Sequence, residues 1–178
     1  MLKLLYSQAA IASRLDDLAS AIRKDLGDVK LIHTIVTMNG SMMFAADLTR
    51  VLGIPQILHF TGGSYFKGAI KHEVALNPET LPTTFGGAPV LILEDILDNG
   101  TVIKQLRQLA VERQAGKVLS AALFKRMGSE STADHVAFTL PKDSFVVGYG
   151  LDMDGRYREL KDIHCLDTGI ASNKPGLC

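Results

Sequence analysis

The chain is 178 residues long, 47% apolar and 21% charged, which fits one domain with a buried core and excludes a disordered chain or a fibre. Nineteen Lys plus Arg balance nineteen Asp plus Glu, so there is no overall basic field to hold a nucleic-acid backbone. No apolar stretch approaches the ~20 residues that span a bilayer and MLKLLYSQAA lacks the features of a cleaved leader, so a cytoplasmic protein with no membrane partner is expected.

Ser7 is placed to cap a helix whose face carries Ile11, Leu15, Leu18, Ile22 and Leu26 at helical spacing, with Gly27 to end it. LIHTIVTM (31–38) is nearly all apolar and β-branched, as in a strand covered on both faces, and NGS (39–41) breaks it. A helix over 42–52, stopped by Gly53 and Pro55, leads to a strand over 56–61. Residues 62–88 hold seven Gly and Pro at 62, 63, 68, 78, 82, 86 and 87 with little periodicity, which predicts a functional, mobile flap. PVLILED (89–95) resumes a buried strand; 101–115 is helical with Val102, Leu106, Leu109 and Ala110 inward, and Gly116 ends it before a strand over 118–124. A last strand is expected over 144–150. Strands alternating with helices imply an α/β fold with a mainly parallel sheet and right-handed crossovers. Cys165 and Cys178 form no disulfide framework and are expected as reduced thiols, and the five histidines show no metal-ligand spacing.

The stretch VLILEDILDNGTVI (90–103) joins an apolar run to three acids and a glycine. In an open α/β sheet ligands bind beyond the carboxyl ends of the strands, where Glu94, Asp95, Asp98 and Gly100 are expected to lie. Amides in the turn 98–101 can point at a phosphate, while the carboxylates upstream suit hydroxyl groups or a hydrated magnesium ion. On residue pattern alone, acids that merely cap the helix from Thr101 remain an alternative.

This stretch resembles the phosphoribosyl-pyrophosphate motif of the type I phosphoribosyltransferases. VTMNGSMMFAADL (36–48), SYFKG (64–68) and FVVGYGLDMDGRYREL (145–160) are similar, in order and at compatible spacing, to the hypoxanthine-guanine branch of that family. The resemblance runs from Ser7 to about Ile163. It implies one phosphoribosyltransferase domain over 1–178, a twisted parallel sheet flanked by helices, a small hood contributed by the terminal segments and a flexible flap at about 62–88.

The function so implied is purine salvage: phosphoribosyl transfer from phosphoribosyl pyrophosphate to hypoxanthine or guanine, giving IMP or GMP and pyrophosphate, with Mg2+ and in a homo-oligomer, dimer or tetramer. By resemblance, Glu94 and Asp95 contact the ribose hydroxyls and the magnesium shell, and Asp98, Asn99, Gly100, Thr101 and Val102 cradle the 5'-phosphate. Asp98 also lies near purine N7 as the candidate general base. Lys125 meets the 6-oxo group, Phe145 stacks on the ring and the Val146 backbone reads its edge. Asp152 adjoins the purine pocket and holds metal near pyrophosphate, Arg158 pairs with pyrophosphate, and Asn39-Gly40 binds it through the backbone. Ser64 and Tyr65 match the closing flap.

Three positions depart from the family pattern. Asn39 stands where many relatives have lysine, although a Met-Asn-Gly version resembles a bacterial subgroup. Asn99 and Val102 replace the usual hydroxyls of the phosphate turn, and Thr101 offers one a position early. A non-catalytic sensor using the same pocket, and a phosphoacceptor domain built around Asp95, are the competing readings; the latter leaves 144–158 without a purpose.

Overall fold

In this computed structural model the described residues are 1–62, 64–67, 70–73, 76–142 and 144–166, with backbone pairing alone for 64–67 and 70–73. The first helix, α1 (Gln8–Leu26), begins where Ser7 Oγ accepts the Ala10 amide and ends at Gly27, whose φ of 72° is open to glycine. Its inner face is Ile11, Leu15, Leu18, Ala19, Ile22 and Leu26, all buried. Each large aliphatic side chain removed from water contributes about 1.5–3 kcal/mol, far more than helix propensity supplies.

Five strands make a fully parallel sheet: β2 (Ile32–Met38), β3 (Gln56–Gly62), β6 (Val90–Leu97), β7 (Val118–Arg126) and β8 (His135–Leu140), in the order β3-β2-β6-β7-β8. The helices α1 and α2 (Met42–Leu52) share a core with Leu91, Leu93, Ala121 and Leu123. On the other face α3 (Thr101–Glu112) packs Ile103, Leu106 and Ala110 against Val90, Ile92, Leu81 and Phe85. Both faces of the central strands are thereby covered, which is why their sequences read as continuous apolar runs.

A second, antiparallel sheet of three strands has the order β1-β10-β9, from β1 (Leu2–Tyr6), β10 (Ile163–Leu166) and β9 (Val146–Val147). A hairpin of β4 (Ser64–Lys67) and β5 (Ile70–Glu73) stands apart, with Ser64 opposite Glu73 and Lys67 opposite Ile70.

Several elements differ from the sequence-based expectation. The structureless reading of 62–88 gives way to this hairpin, and Leu81 and Phe85 of the same segment are core residues. Strand β6 continues through Ile96 and Leu97, which pair with Phe124 and Lys125, so Glu94 and Asp95 lie inside the strand rather than beyond it. Helix α3 stops at Glu112, before Gly116, because Gln114 turns to a φ of 62°. Gly116 serves close packing instead, since a Cβ there would overlap the Gly87 carbonyl. In the expected strand 144–150 only Val146 and Val147 pair as a strand, and they pair with β10 outside the parallel sheet; positive φ at Gly148, Tyr149 and Gly150 coils the rest. Strands β1, β8 and β10 have no counterpart in the expectation. Cys165, expected reduced, is disulfide-bonded, and Cys178 lies outside the described residues, as does the tail from 167. Among the described residues no helix is long and apolar enough to cross a membrane.

Candidate functional site

The crossovers leaving β2 and β6 run in opposite directions, α2 carrying the chain out to β3 and α3 carrying it to β7. The carboxyl ends of these two neighbours therefore flank a switch-point crevice, the place where a parallel sheet leaves room for a ligand. Thr37, buried near the end of β2, donates its hydroxyl to the Leu93 carbonyl at 3.1 Å and lies 3.0 Å from Ser41 Oγ, stitching β2, β6 and the intervening turn together.

Gly40 sits in that turn against Asp95. A Cβ at position 40 would overlap the Asp95 carboxylate, so glycine is what lets backbone and acid meet. The preceding Met38–Asn39 peptide bond is cis and the Asn39 side chain is exposed. Gly150, with a φ of 96°, is pressed on the Gly40 carbonyl in the same way. The Gly150 carbonyl accepts Arg158 Nη1 at 2.6 Å, and Arg158 Nη2 pairs with Asp152 Oδ1 at 2.7 Å. Asp152 Oδ2 accepts the Gly155 amide at 2.7 Å. Gly40, Asp95, Gly150, Arg158 and Asp152 thus form one chain of contacts drawn from the turn after β2, from β6 and from the 148–160 segment. Tyr149 anchors that segment to α2 by donating its hydroxyl to Asp47 at 2.8 Å, and burial together with Asp47 pushes the phenol up.

Burial is the main influence on the Asp95 carboxyl and raises its pKa; the Ile96 amide at 2.8 Å and the charge of Arg158 act in the opposite sense, and Asp98 adds to the rise. A carboxyl held toward its neutral form in a crevice marks a place where an incoming cation or hydroxyl would be welcome.

Asp98 follows the end of β6. The register Leu97 to Lys125 continues one step further, and there Arg126 Nε donates to Asp98 Oδ1 at 2.7 Å. The Asp98 carbonyl accepts the hydroxyls of Ser129 and Ser131, the latter at 2.9 Å. In the turn that follows, Asn99 Oδ1 accepts the Thr101 amide at 3.1 Å, and Gly100 has a φ of 68° with Ser131 packed where a Cβ would go. Asn99 therefore occupies an amide that the resemblance assigns to phosphate. The remaining amides of the first turn of α3 have no intrahelical acceptor, as at any helix start, and Val102 is half-buried against the α3 core. A cavity of about 280 Å³ adjoins this turn, walled by Asn99, Gly100, Lys104 and Ser131 among others.

Lys125 stands beside Leu97 in the ladder, half-buried; among the described residues its ammonium has no hydrogen-bond or ion-pair partner. Phe145 is half-buried immediately before β9, and its carbonyl accepts the Leu166 amide. The Val146 side chain is buried and its backbone is in register with Cys165. Glu94 is buried in β6, and strand alternation turns it to the face opposite Asp95. Ser64 and Tyr65 lie in β4, where the backbone alone is described.

The three carboxylates expected as metal ligands, Glu94, Asp95 and Asp152, do not converge: no group of three or more His, Cys, Asp or Glu among the described residues could hold an ion. A divalent ion that is held mostly by water and substrate phosphates needs only one or two of these carboxylates. Sequence reasoning missed Arg126, although it directly follows Lys125 and sits one ladder step from Asp98, and it missed Gly150, flagged only by its place in a Gly-rich turn.

A switch-point crevice with carboxylates, an arginine and a glycine-led helix start is the form of an α/β protein that handles phosphorylated ligands. The sequence matches the phosphoribosyl transferase domain over residues 2–154. It is 31% identical over 175 residues to the hypoxanthine-guanine phosphoribosyltransferase of Streptococcus pneumoniae, covering 96% of each chain. It is also 31% identical to the hypoxanthine phosphoribosyltransferase of Haemophilus influenzae, over 88% of this chain and 90% of the other. Among solved structures, the hypoxanthine phosphoribosyltransferase of Trypanosoma cruzi in complex with the product IMP superposes with a TM-score of 0.77 at 30% identity, over 94% of this chain and 91% of that one. The chain belongs to the phosphoribosyltransferase family, and its fold is the type I phosphoribosyltransferase fold.

Proposed function

We propose that this chain is a purine-salvage enzyme that transfers the phosphoribosyl group of phosphoribosyl pyrophosphate to hypoxanthine, guanine or both, releasing pyrophosphate and forming IMP or GMP. The observation that carries the reading is the contact chain Gly40, Asp95, Gly150, Arg158 and Asp152 at the switch point, with Asp98 and Lys125 next to it. The relatives named hypoxanthine or hypoxanthine-guanine phosphoribosyltransferase support the choice of substrate.

Breaking the bond between ribose and pyrophosphate builds positive charge on the sugar and negative charge on the leaving group. Arg158, a planar and permanently charged donor, pairs with pyrophosphate oxygens, and the Asn39-Gly40 backbone offers them amide hydrogens. Asp95 takes the ribose hydroxyls, Glu94 backing it from the other face of β6, and the turn 98–102 holds the 5'-phosphate at the start of α3. Asp98 accepts or shares the N7 proton as N9 attacks the anomeric carbon. Lys125 donates to the 6-oxo group; Phe145 stacks on the ring and the Val146 backbone reads its edge. Mg2+, carried mainly on the substrate phosphates with Asp95 or Asp152 as its carboxylate, would neutralise charge on the leaving pyrophosphate. Ser64 and Tyr65 belong to the flap that excludes water from the activated sugar.

We place the enzyme in the cytoplasm as a homo-oligomer. The outer strand β3 exposes Ile57, Leu58 and Phe60 at 44%, 43% and 50%, an apolar edge suited to a second copy. The test of the function is an assay of the purified protein with magnesium, phosphoribosyl pyrophosphate and, separately, hypoxanthine, guanine, xanthine and adenine. Product with an oxopurine and not with adenine is expected. Binding of the activated sugar without product from any base would overturn catalysis in favour of a sensor.

A further inference from the structure

Arg126 closes β7, and its guanidinium is divided between two parts of the site. Nε donates to Asp98 Oδ1 at 2.7 Å, while Nη1 donates to the Ser144 carbonyl at 2.7 Å and lies 3.4 Å from the Lys142 carbonyl. Ser144 directly precedes Phe145; it is buried, and its own hydroxyl is held by the Pro141 carbonyl at 2.8 Å. Arginine and aspartate side chains are 20% and 22% exposed, so the pair is shielded from the solvent that makes surface ion pairs weak.

The backbone around Asp98 is already fixed by the hydroxyls of Ser129 and Ser131 on its carbonyl, which leaves rotation of the carboxylate as its remaining freedom. The ion pair with Arg126 removes that freedom, and the other arm of the same planar group ties the carboxylate to the segment before β9 that carries Phe145. A lysine has one ammonium and cannot span both acceptors in one plane.

We propose that Arg126 is a positioning residue for phosphoribosyl transfer: it sets the Asp98 carboxylate relative to the purine-stacking segment 144–146. The proposal rests on the purine-transferase reading above. A base that must meet a ring nitrogen within hydrogen-bond reach depends on a placement of this kind, and a misplacement of about 1 Å can cost on the order of 10²-fold in rate.

The experiment compares wild type, Arg126→Gln and Arg126→Lys by steady-state kinetics, varying purine and phosphoribosyl pyrophosphate in turn, with thermal melting of each protein. Arg126→Gln is expected to lower kcat/KM for the purine on the order of 10²-fold while the KM for phosphoribosyl pyrophosphate stays within about twofold. Arg126→Lys restores a charge beside Asp98 and is expected to recover part of kcat while keeping a raised purine KM. A loss of kcat that follows the melting temperature, with both KM values unchanged, overturns the proposal. If Arg126→Gln does not fold, the lysine variant decides: a wild-type purine KM in it refutes the role. Active wild type with kinetically silent variants refutes Arg126 alone, whereas wild type inactive with every base refutes the functional reading and the proposal with it.

Discussion

Gly40 and Asp95 occupy the same small volume at the carboxyl ends of β2 and β6, and a single methyl on Gly40 would overlap the Asp95 carboxylate. Gly40→Ala must therefore push Asp95 off the turn or the turn off the sheet. Thermal melting of the variant separates this displacement from loss of the fold. Its kcat/KM for phosphoribosyl pyrophosphate should fall on the order of 10²-fold. Steady-state kinetics against the activated sugar measure this, and wild-type values would remove the Gly40–Asp95 contact from the site.

Asp98→Asn keeps the shape of the side chain and can still accept from Arg126 through its amide oxygen, but it cannot take a proton. Turnover is expected to drop by roughly 10²–10⁴-fold, the contribution typical of a positioned general base. Affinity for IMP, measured by titration calorimetry, should change by less than about tenfold, a shift of about 1.4 kcal/mol. An unaltered rate would take Asp98 out of the chemistry and leave it as a phosphate-turn residue.

His33 and His59 stack with ring centroids 5.1 Å apart, their Nδ1 and Nε2 atoms 2.8 Å from each other, against the edge of Phe85. One ring must donate and the other accept, so the contact needs at least one neutral imidazole. Burial lowers both pKa values, and His33 lowers that of His59 further. A histidine depressed in the folded state binds fewer protons than its unfolded counterpart once the pH drops below the ordinary value of 6.5. Stability therefore falls with falling pH through that window and is unaffected by the pair above it. Urea midpoints measured at about pH 7.5 and about pH 5.5 should show a drop in the wild type that His59→Gln reduces. Equal drops in both proteins would show that the pair does not carry the effect.

Local pattern was enough to place α1, α2, β2, β6 and β7, since each is a helix with one apolar stripe or a strand buried on both faces, and such periods are written within ten or twenty residues. The same reasoning located the acidic junction at Glu94, Asp95 and Asp98. It failed at β1, β8 and β10, which are half-exposed edge or small-sheet strands without a distinct apolar period, and at 144–150, where positive φ at Gly148, Tyr149 and Gly150 overrides an apolar composition that suits a strand.

What the sequence by itself determined is therefore the parallel α/β architecture and the residue types available at the strand ends, because both follow from short-range periodicity and turn chemistry. Tertiary structure alone decided that Gly40 and Gly150 serve as contact points as well as turn residues, that the expected metal carboxylates stay apart, and that Arg126 joins Asp98 to Ser144. Those relations link positions from 18 to 110 residues apart along the chain. They exist only once the strand order has brought β2, β6 and β7 side by side, and no local pattern encodes which strand becomes whose neighbour.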